Sequence, residues 1–138
     1  MEPFAVSVHI ETAITGEETV SARYDGLLRV RGEALLLSYT EENEGVRTST
    51  LLTIEEGKVS LLRRGGVEFS TVYEVGTPHS SRYTLGGLSF DALTETVSLT
   101  IQRGACLPRI ACVYDLTLGG ERRRFSLSLI TEGREAKK

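Results

Sequence analysis

A chain of 138 residues with 40% hydrophobic and 25% charged side chains has the balance of a globular protein, long enough to bury a core without staples. Its formal charge of −3 argues against a nucleic-acid binder, which meets phosphates with a basic excess. No stretch approaches the ~20 apolar residues that span a bilayer, and Cys106 and Cys112 are too few for a disulfide framework or a four-ligand zinc site.

Met1–Val8 lacks a basic region followed by a continuous apolar run, so no secretory signal is expected and the cytoplasm is the expected compartment. From Phe4 to Ile14 the apolar Val6, Val8, Ile10 and Ile14 alternate with Ser7, His9 and Glu11, the period of a half-buried strand. A turn at Thr15–Glu18 leads to a strand over Thr19–Arg31. Gly26 interrupts that strand and predicts a bulge or sharp bend. Gly32-Glu33 turns into Ala34–Thr40, a loop is expected over Glu41–Gly45, and Val46–Ile54 follows with Thr48, Thr50, Leu52 and Ile54 on one face. Glu55–Lys58 is a hairpin connection into Lys58–Arg64, and Gly65-Gly66 turns into Val67–Val75, where the odd positions share a face.

After the break at Gly76–His79, the pattern predicts Ser80–Leu85, a Gly86-Gly87 turn, and two strands over Leu88–Thr94 and Thr96–Arg103. Gly104–Pro108 turns into Arg109–Leu118, and Gly119-Gly120 closes a hairpin into Arg122–Thr131. No window carries the i, i+3, i+4 spacing of an amphipathic helix. Hairpin-length links between short strands predict an all-β fold, an antiparallel up-and-down barrel of about eight to ten strands. A barrel is preferred because closure removes exposed sheet edges. The expected domain is residues 1–132, with 133–138 a charged, frayed tail.

The segments Leu37-Ser38-Tyr39-Thr40-Glu41, Arg47-Thr48-Ser49-Thr50, Leu62-Arg63-Arg64-Gly65, Tyr83-Thr84 and Tyr114-Asp115-Leu116 stand in an order and spacing that resembles the YwiB-like family of small bacterial proteins of unknown function. The resemblance runs from about Val20 to Ile130 and implies a lipocalin-like (calycin) barrel with a lumen. It brings no activity and no catalytic residues. The family tends to carry a proline between Tyr-x-Thr and the next glycine; here Leu85 stands there, so glycine flexibility must shape that turn.

Inside a barrel, parity assigns the neighbours of the apolar residues. Val59 and Leu61 inward bring Arg63 inward; Leu35 and Leu37 do the same for Tyr39, and Val67 with Phe69 for Thr71 and Tyr73. Arg82 and Tyr83 lie on opposite faces, so only one looks inside. These six, Tyr39, Arg63, Thr71, Tyr73, Arg82 and Tyr83, are the candidate ligand-binding residues. Arginine and tyrosines among aliphatics suit a small anionic or amphiphilic molecule, the guanidinium taking the head group and the walls the tail. The blander reading leaves Arg63 at the barrel mouth with its head in water.

Glu41, Glu42 and Glu44 offer a rim partner for Arg63 or Arg82, but a solvated loop is the plainer expectation, as a solvated strand face is for Arg122-Arg123-Arg124. His79 beside Ser80 and Ser81 invites a nucleophile reading, yet no nucleophile-elbow glycines surround them, and turn residues explain them. Cys112 shares its parity with Ile110 and Tyr114, and two free, mostly buried thiols are expected rather than a disulfide. No catalytic residue, metal site or cofactor is assigned. The leading expectation is a non-enzymatic small-ligand binder. Its rival is a barrel with a filled lumen acting as a protein-interaction or homo-oligomerisation module.

Overall fold

The computed structural model describes residues 3–104 and 107–134. Ten strands follow one another: β1 (Phe4–Ile14), β2 (Val20–Arg31), β3 (Ala34–Asn43), β4 (Val46–Glu55), β5 (Lys58–Gly65), β6 (Val67–Tyr73), β7 (His79–Leu85), β8 (Leu88–Gln102), β9 (Arg109–Leu118) and β10 (Glu121–Gly133). Each pairs antiparallel with the next, and β1 also pairs with β10, so the meander closes into a barrel. The up-and-down connectivity expected from the short links is the connectivity found, and no α-helix occurs among the described residues.

Alternation sorts the side chains. The inward positions of β1 to β4 and of β10 put Val6, Val8, Leu28, Leu35, Leu37, Ile54 and Leu129 in the interior, each no more than 1% exposed. Full burial of such side chains is worth about 1.5–3 kcal/mol apiece. All but Leu129 lie toward the end of the barrel where β2 turns into β3 and β4 into β5. Pro108 is buried at that end, and its carbonyl accepts from both the amide and the hydroxyl of Thr131, tying the β8–β9 connection to β10. This end of the barrel is therefore the more closely packed one.

Three local expectations are corrected. The loop expected over Glu41–Gly45 is a two-residue turn: Glu44 (φ 52°) and Gly45 (φ 81°) are both left-handed, as a tight hairpin turn of matching twist requires, so β3 and β4 stay paired out to Asn43 and Val46. Gly26 makes no bulge. Strand β2 pairs without a shift through Gly26, opposite Val6 on one side and Tyr39 on the other. A Cβ there would lie 2.8 Å from the Ser38 carbonyl oxygen and 2.9 Å from a Val8 methyl, so the glycine serves close approach. The real bulge is in β8, between Thr96 and Ser98, and it fuses the two expected strands into one of 15 residues. Inward parity passes from Ala92, Thr94 and Thr96 to Leu99 and Ile101 across it. Cys106 lies outside the described residues; Cys112 is a free, buried thiol whose pKa burial pushes up to about 12.

The wall is uneven. Strands β6 and β7 share only the pairs Val67–Leu85 and Glu68–Thr84. Past them, side chains bridge β6 directly to β8: the Thr71 hydroxyl donates to Thr94 Oγ1 at 2.7 Å, and the Glu74 amide donates to Thr96 Oγ1 at 3.1 Å. Outside the barrel, the Asp115 carboxylate accepts from Arg124 Nε and Nη2 and from Arg122 Nη2 at 2.6–3.1 Å. The two guanidinium groups face water and cover the carboxylate between them, holding its pKa far below the ordinary range.

Replacing Gly26 with alanine is expected to cost about 1–3 kcal/mol in urea unfolding, because neither backbone nor Val8 can retreat without strain. Thr71→Val is expected to cost about 1–3 kcal/mol by leaving the Thr94 hydroxyl buried and unpaired, and Thr71→Val/Thr94→Val to cost less than the two singles together. The Asp115 contribution is fully present above the ordinary carboxylate pKa of about 4 and is lost as pH falls through that range toward the depressed folded value. Melting temperatures recorded from about pH 5 downward should therefore fall more steeply for wild type than for Asp115→Asn.

Candidate functional site

At the opposite end, where the β1–β2, β3–β4 and β5–β6 hairpins turn, the barrel is hollow. A cavity of about 270 Å³ lies among Ile10, Leu52, Leu61, Leu99, Leu127 and Leu129, with Tyr24, Tyr39, Glu41, Arg63, Tyr73 and Tyr114 as its principal polar lining. Inward parity puts each of these here. Thr50 of β4 is paired with Tyr39 on one side and Arg63 on the other, so those three form one row across the wall. Glu41 is two residues along β3 on the same face, just past the last β2–β3 pair (Gly26–Tyr39), where the Tyr24 hydroxyl reaches it.

The polar groups are already in contact. Arg63 Nη2 donates to Glu41 Oε2 at 2.7 Å, and the Tyr24 hydroxyl donates to Glu41 Oε1 at 3.1 Å. Both carboxylate oxygens are thus engaged, and the Arg63 and Glu41 side chains keep only 24% and 28% of their exposure. Arg63 Nε is buried with no acceptor. The Tyr24 and Tyr39 rings stack at 5.0 Å, and the Tyr73 and Tyr114 rings lie tilted at 4.8 Å, with Tyr114 stacked in turn on Phe125. Burial raises the hydroxyl pKa of Tyr39 and Tyr73 far above its ordinary value and that of Tyr114 to about 12, so all three remain protonated at neutral pH. The lumen therefore presents neutral hydroxyls, aromatic faces, aliphatic walls and one internally balanced ion pair.

Of the six residues singled out from sequence, Tyr39, Arg63 and Tyr73 line this cavity. Thr71 faces inward but its hydroxyl is committed to Thr94 at the β6–β8 bridge. Arg82 points outward, 67% exposed, with Nη1 3.7 Å from Asp91. Tyr83 takes the inward face and packs on Phe69 with ring centroids 5.3 Å apart, away from the cavity lining. Tyr24 and Tyr114 are not among the six, and Glu41, named from sequence as a rim partner for Arg63 but read more plainly as solvated loop, does pair with it. Tyr24 and Tyr114 share parity with Leu28 and with Ile110 and were legible by the reasoning used for Tyr39. The misplaced loop boundary favoured the solvated-loop reading of Glu41: once β3 is known to run to Asn43, its odd parity turns it inward.

The histidines stand apart. His9, on the outer face of β1, accepts from Arg23 Nε. His79 opens β7 rather than sitting in a turn, and Ser81, on the same face, has a buried hydroxyl with no partner. On the exterior, Arg123 bridges Glu17 and Glu121, so the three consecutive arginines are all paired. Among the described residues no three His, Cys, Asp or Glu side chains are grouped to hold a metal ion, and no helix is long and apolar enough to cross a membrane.

Comparison with known proteins gives the barrel relatives. The chain is 24% identical over 129 residues, 91% of either sequence, to the uncharacterized beta-barrel protein YwiB of Bacillus subtilis (strain 168). The crystal structure of the ywiB protein from Bacillus subtilis superposes with a TM-score of 0.86 at 22% identity, covering 96% of this chain and 94% of that one. The model of a domain of unknown function, DUF1934, matches residues 7–129, from the first strand of the barrel to the last. With the match reaching into both closing strands, the chain belongs to the DUF1934 family.

Proposed function

We propose that the protein is a non-enzymatic carrier or sensor that holds one small amphiphilic molecule in its lumen, in the manner of a lipocalin-like barrel. The observation that carries this reading is the uneven filling of the interior: one end is packed, and the other leaves about 270 Å³ under an arginine–glutamate pair. At ~30 Å³ per water, that space has room for on the order of nine waters, or for a ligand of about as many non-hydrogen atoms. Its aliphatic and tyrosine walls suit the apolar body of such a ligand, and the Arg63 side chain among the tyrosine hydroxyls suits the head group. The residues proposed to hold it are Tyr39, Arg63 and Tyr73, joined by Tyr24, Glu41 and Tyr114.

A second reading, a surface-acting interaction or oligomerisation module, has one observation in its favour. On the outer face, Leu27, Ser38, Leu51 and Leu62 pair across four successive strands, with Leu27 48% and Leu51 36% exposed. Static light scattering separates the two readings, since the second requires a multimer or a stable complex.

The lumen reading is tested by native mass spectrometry of protein taken from cells and by melting in the presence of small amphiphiles. A ligand at a hundredfold excess over its dissociation constant adds about 2.7 kcal/mol of stability to wild type. Leu127→Trp, which fills the cavity, and Arg63→Ala, which removes the head-group donor, are expected to lose that gain. Equal responses from all three proteins would sink the reading.

A further inference from the structure

The chemistry of the lumen narrows the class of ligand further, and the inference rests on the lumen being a binding site as proposed above. Among the described residues Arg63 is the only cationic side chain lining the cavity, and its charge is met at 2.7 Å by Glu41. Glu41 in turn is held on its other oxygen by Tyr24, so the carboxylate is fixed in place rather than free to swing out. An incoming carboxylate or phosphate would have to shed its hydration, enter a tyrosine- and leucine-lined space, and lie beside Glu41. The guanidinium that should repay that cost is already neutralised.

A neutral head group faces no such penalty. What the cavity offers a neutral head group is the hydroxyl donors of Tyr39, Tyr73 and Tyr114, which line it, whereas Arg63 Nε is buried away from the open space. These hydroxyls stay protonated at neutral pH. A single uncharged oxygen, of a carboxamide, ester, ketone or alcohol, supplies an acceptor for them and brings no charge of its own.

We propose that the lumen is selective for small uncharged amphiphiles with an oxygen acceptor for the tyrosine hydroxyls, and that Glu41 is the residue that excludes carboxylates and phosphates. Glu41 does this by occupying the guanidinium and by repelling a second anion, so that selectivity comes from a repulsive element as much as from an attractive one.

Octanamide and octanoate test this as a matched pair, equal in chain length and each with ten non-hydrogen atoms, close to the roughly nine that the cavity volume allows. Titration calorimetry at pH 7.5 is expected to give at least about tenfold tighter binding of octanamide by the wild-type protein. In Glu41→Gln, which keeps the shape and an acceptor for Tyr24, octanoate is expected to gain and the preference to shrink or invert. A wild-type preference for octanoate overturns the proposal without any variant being needed, and so does a ratio unchanged in folded Glu41→Gln. Heat from neither probe, with wild type and the cavity-filled Leu127→Trp indistinguishable, would instead remove the lumen reading and the selectivity with it.

Discussion

A closed ring of ten strands encloses more width than aliphatic side chains fill by themselves, since about eight already leave room for side chains or one small ligand. How this chain meets that constraint decides the rest of its structure. At one end, inward valines, leucines and isoleucines interdigitate and Pro108 is tied across the opening. At the other, the inward positions carry tyrosines, a glutamate and an arginine, whose polar tips prevent them from packing as a dry core. The cavity is what remains where aliphatic packing stops. Its polar groups satisfy one another first, through Glu41, and Arg63 Nε and the neighbouring Thr50 hydroxyl are left over.

The charged pairs inside and outside the barrel differ in kind. Asp115 lies on the surface under two arginines that both face water, so its ion pairs are hydrated on the outer side and screened by salt. Arg63 and Glu41 lose roughly three quarters of their exposure, and the desolvation they suffer is offset only while each keeps the other. Breaking the exterior set changes how the fold withstands acid. Breaking the interior pair changes the charge of the lumen.

Much of this architecture is legible in the sequence because a barrel wall has a strict period of two. Val6 and Val8, Leu35 and Leu37, and Thr48 to Ile54 announce their faces directly, and extending those faces by one step turns Tyr39, Arg63 and Tyr73 inward. Parity also states that Arg82 and Tyr83 part company, though not which one enters. What parity cannot supply is where a strand stops or slips. Glu44 takes a left-handed turn conformation that is unusual for a glutamate, so the run of glutamates reads as loop and the strand position of Glu41 goes with it. The extra residue at Val97 carries no glycine or proline to mark it, so β8 read as two strands. Gly26 sent the opposite signal, a break that the backbone does not make, because crowding by Val8 and Ser38 calls for a glycine as firmly as a bend does. Thr71 illustrates a further limit: its direction was correct, but the Thr94 hydroxyl that absorbs it lies 23 residues away.

The two-rung contact between β6 and β7 has a consequence for motion. Every other neighbouring pair is held by at least five consecutive backbone pairs, so the ring has one weak line along its length. Thermal opening concentrates where backbone bonds are fewest. The β7–β8 hairpin, hinged on the long β8–β9 ladder, is the natural leaf of such an opening, with the Thr71–Thr94 and Phe69–Tyr83 contacts as its latch. A barrel built in this way breathes through its side as well as its mouth, and amide hydrogens along that line exchange with water ahead of the rest of the wall.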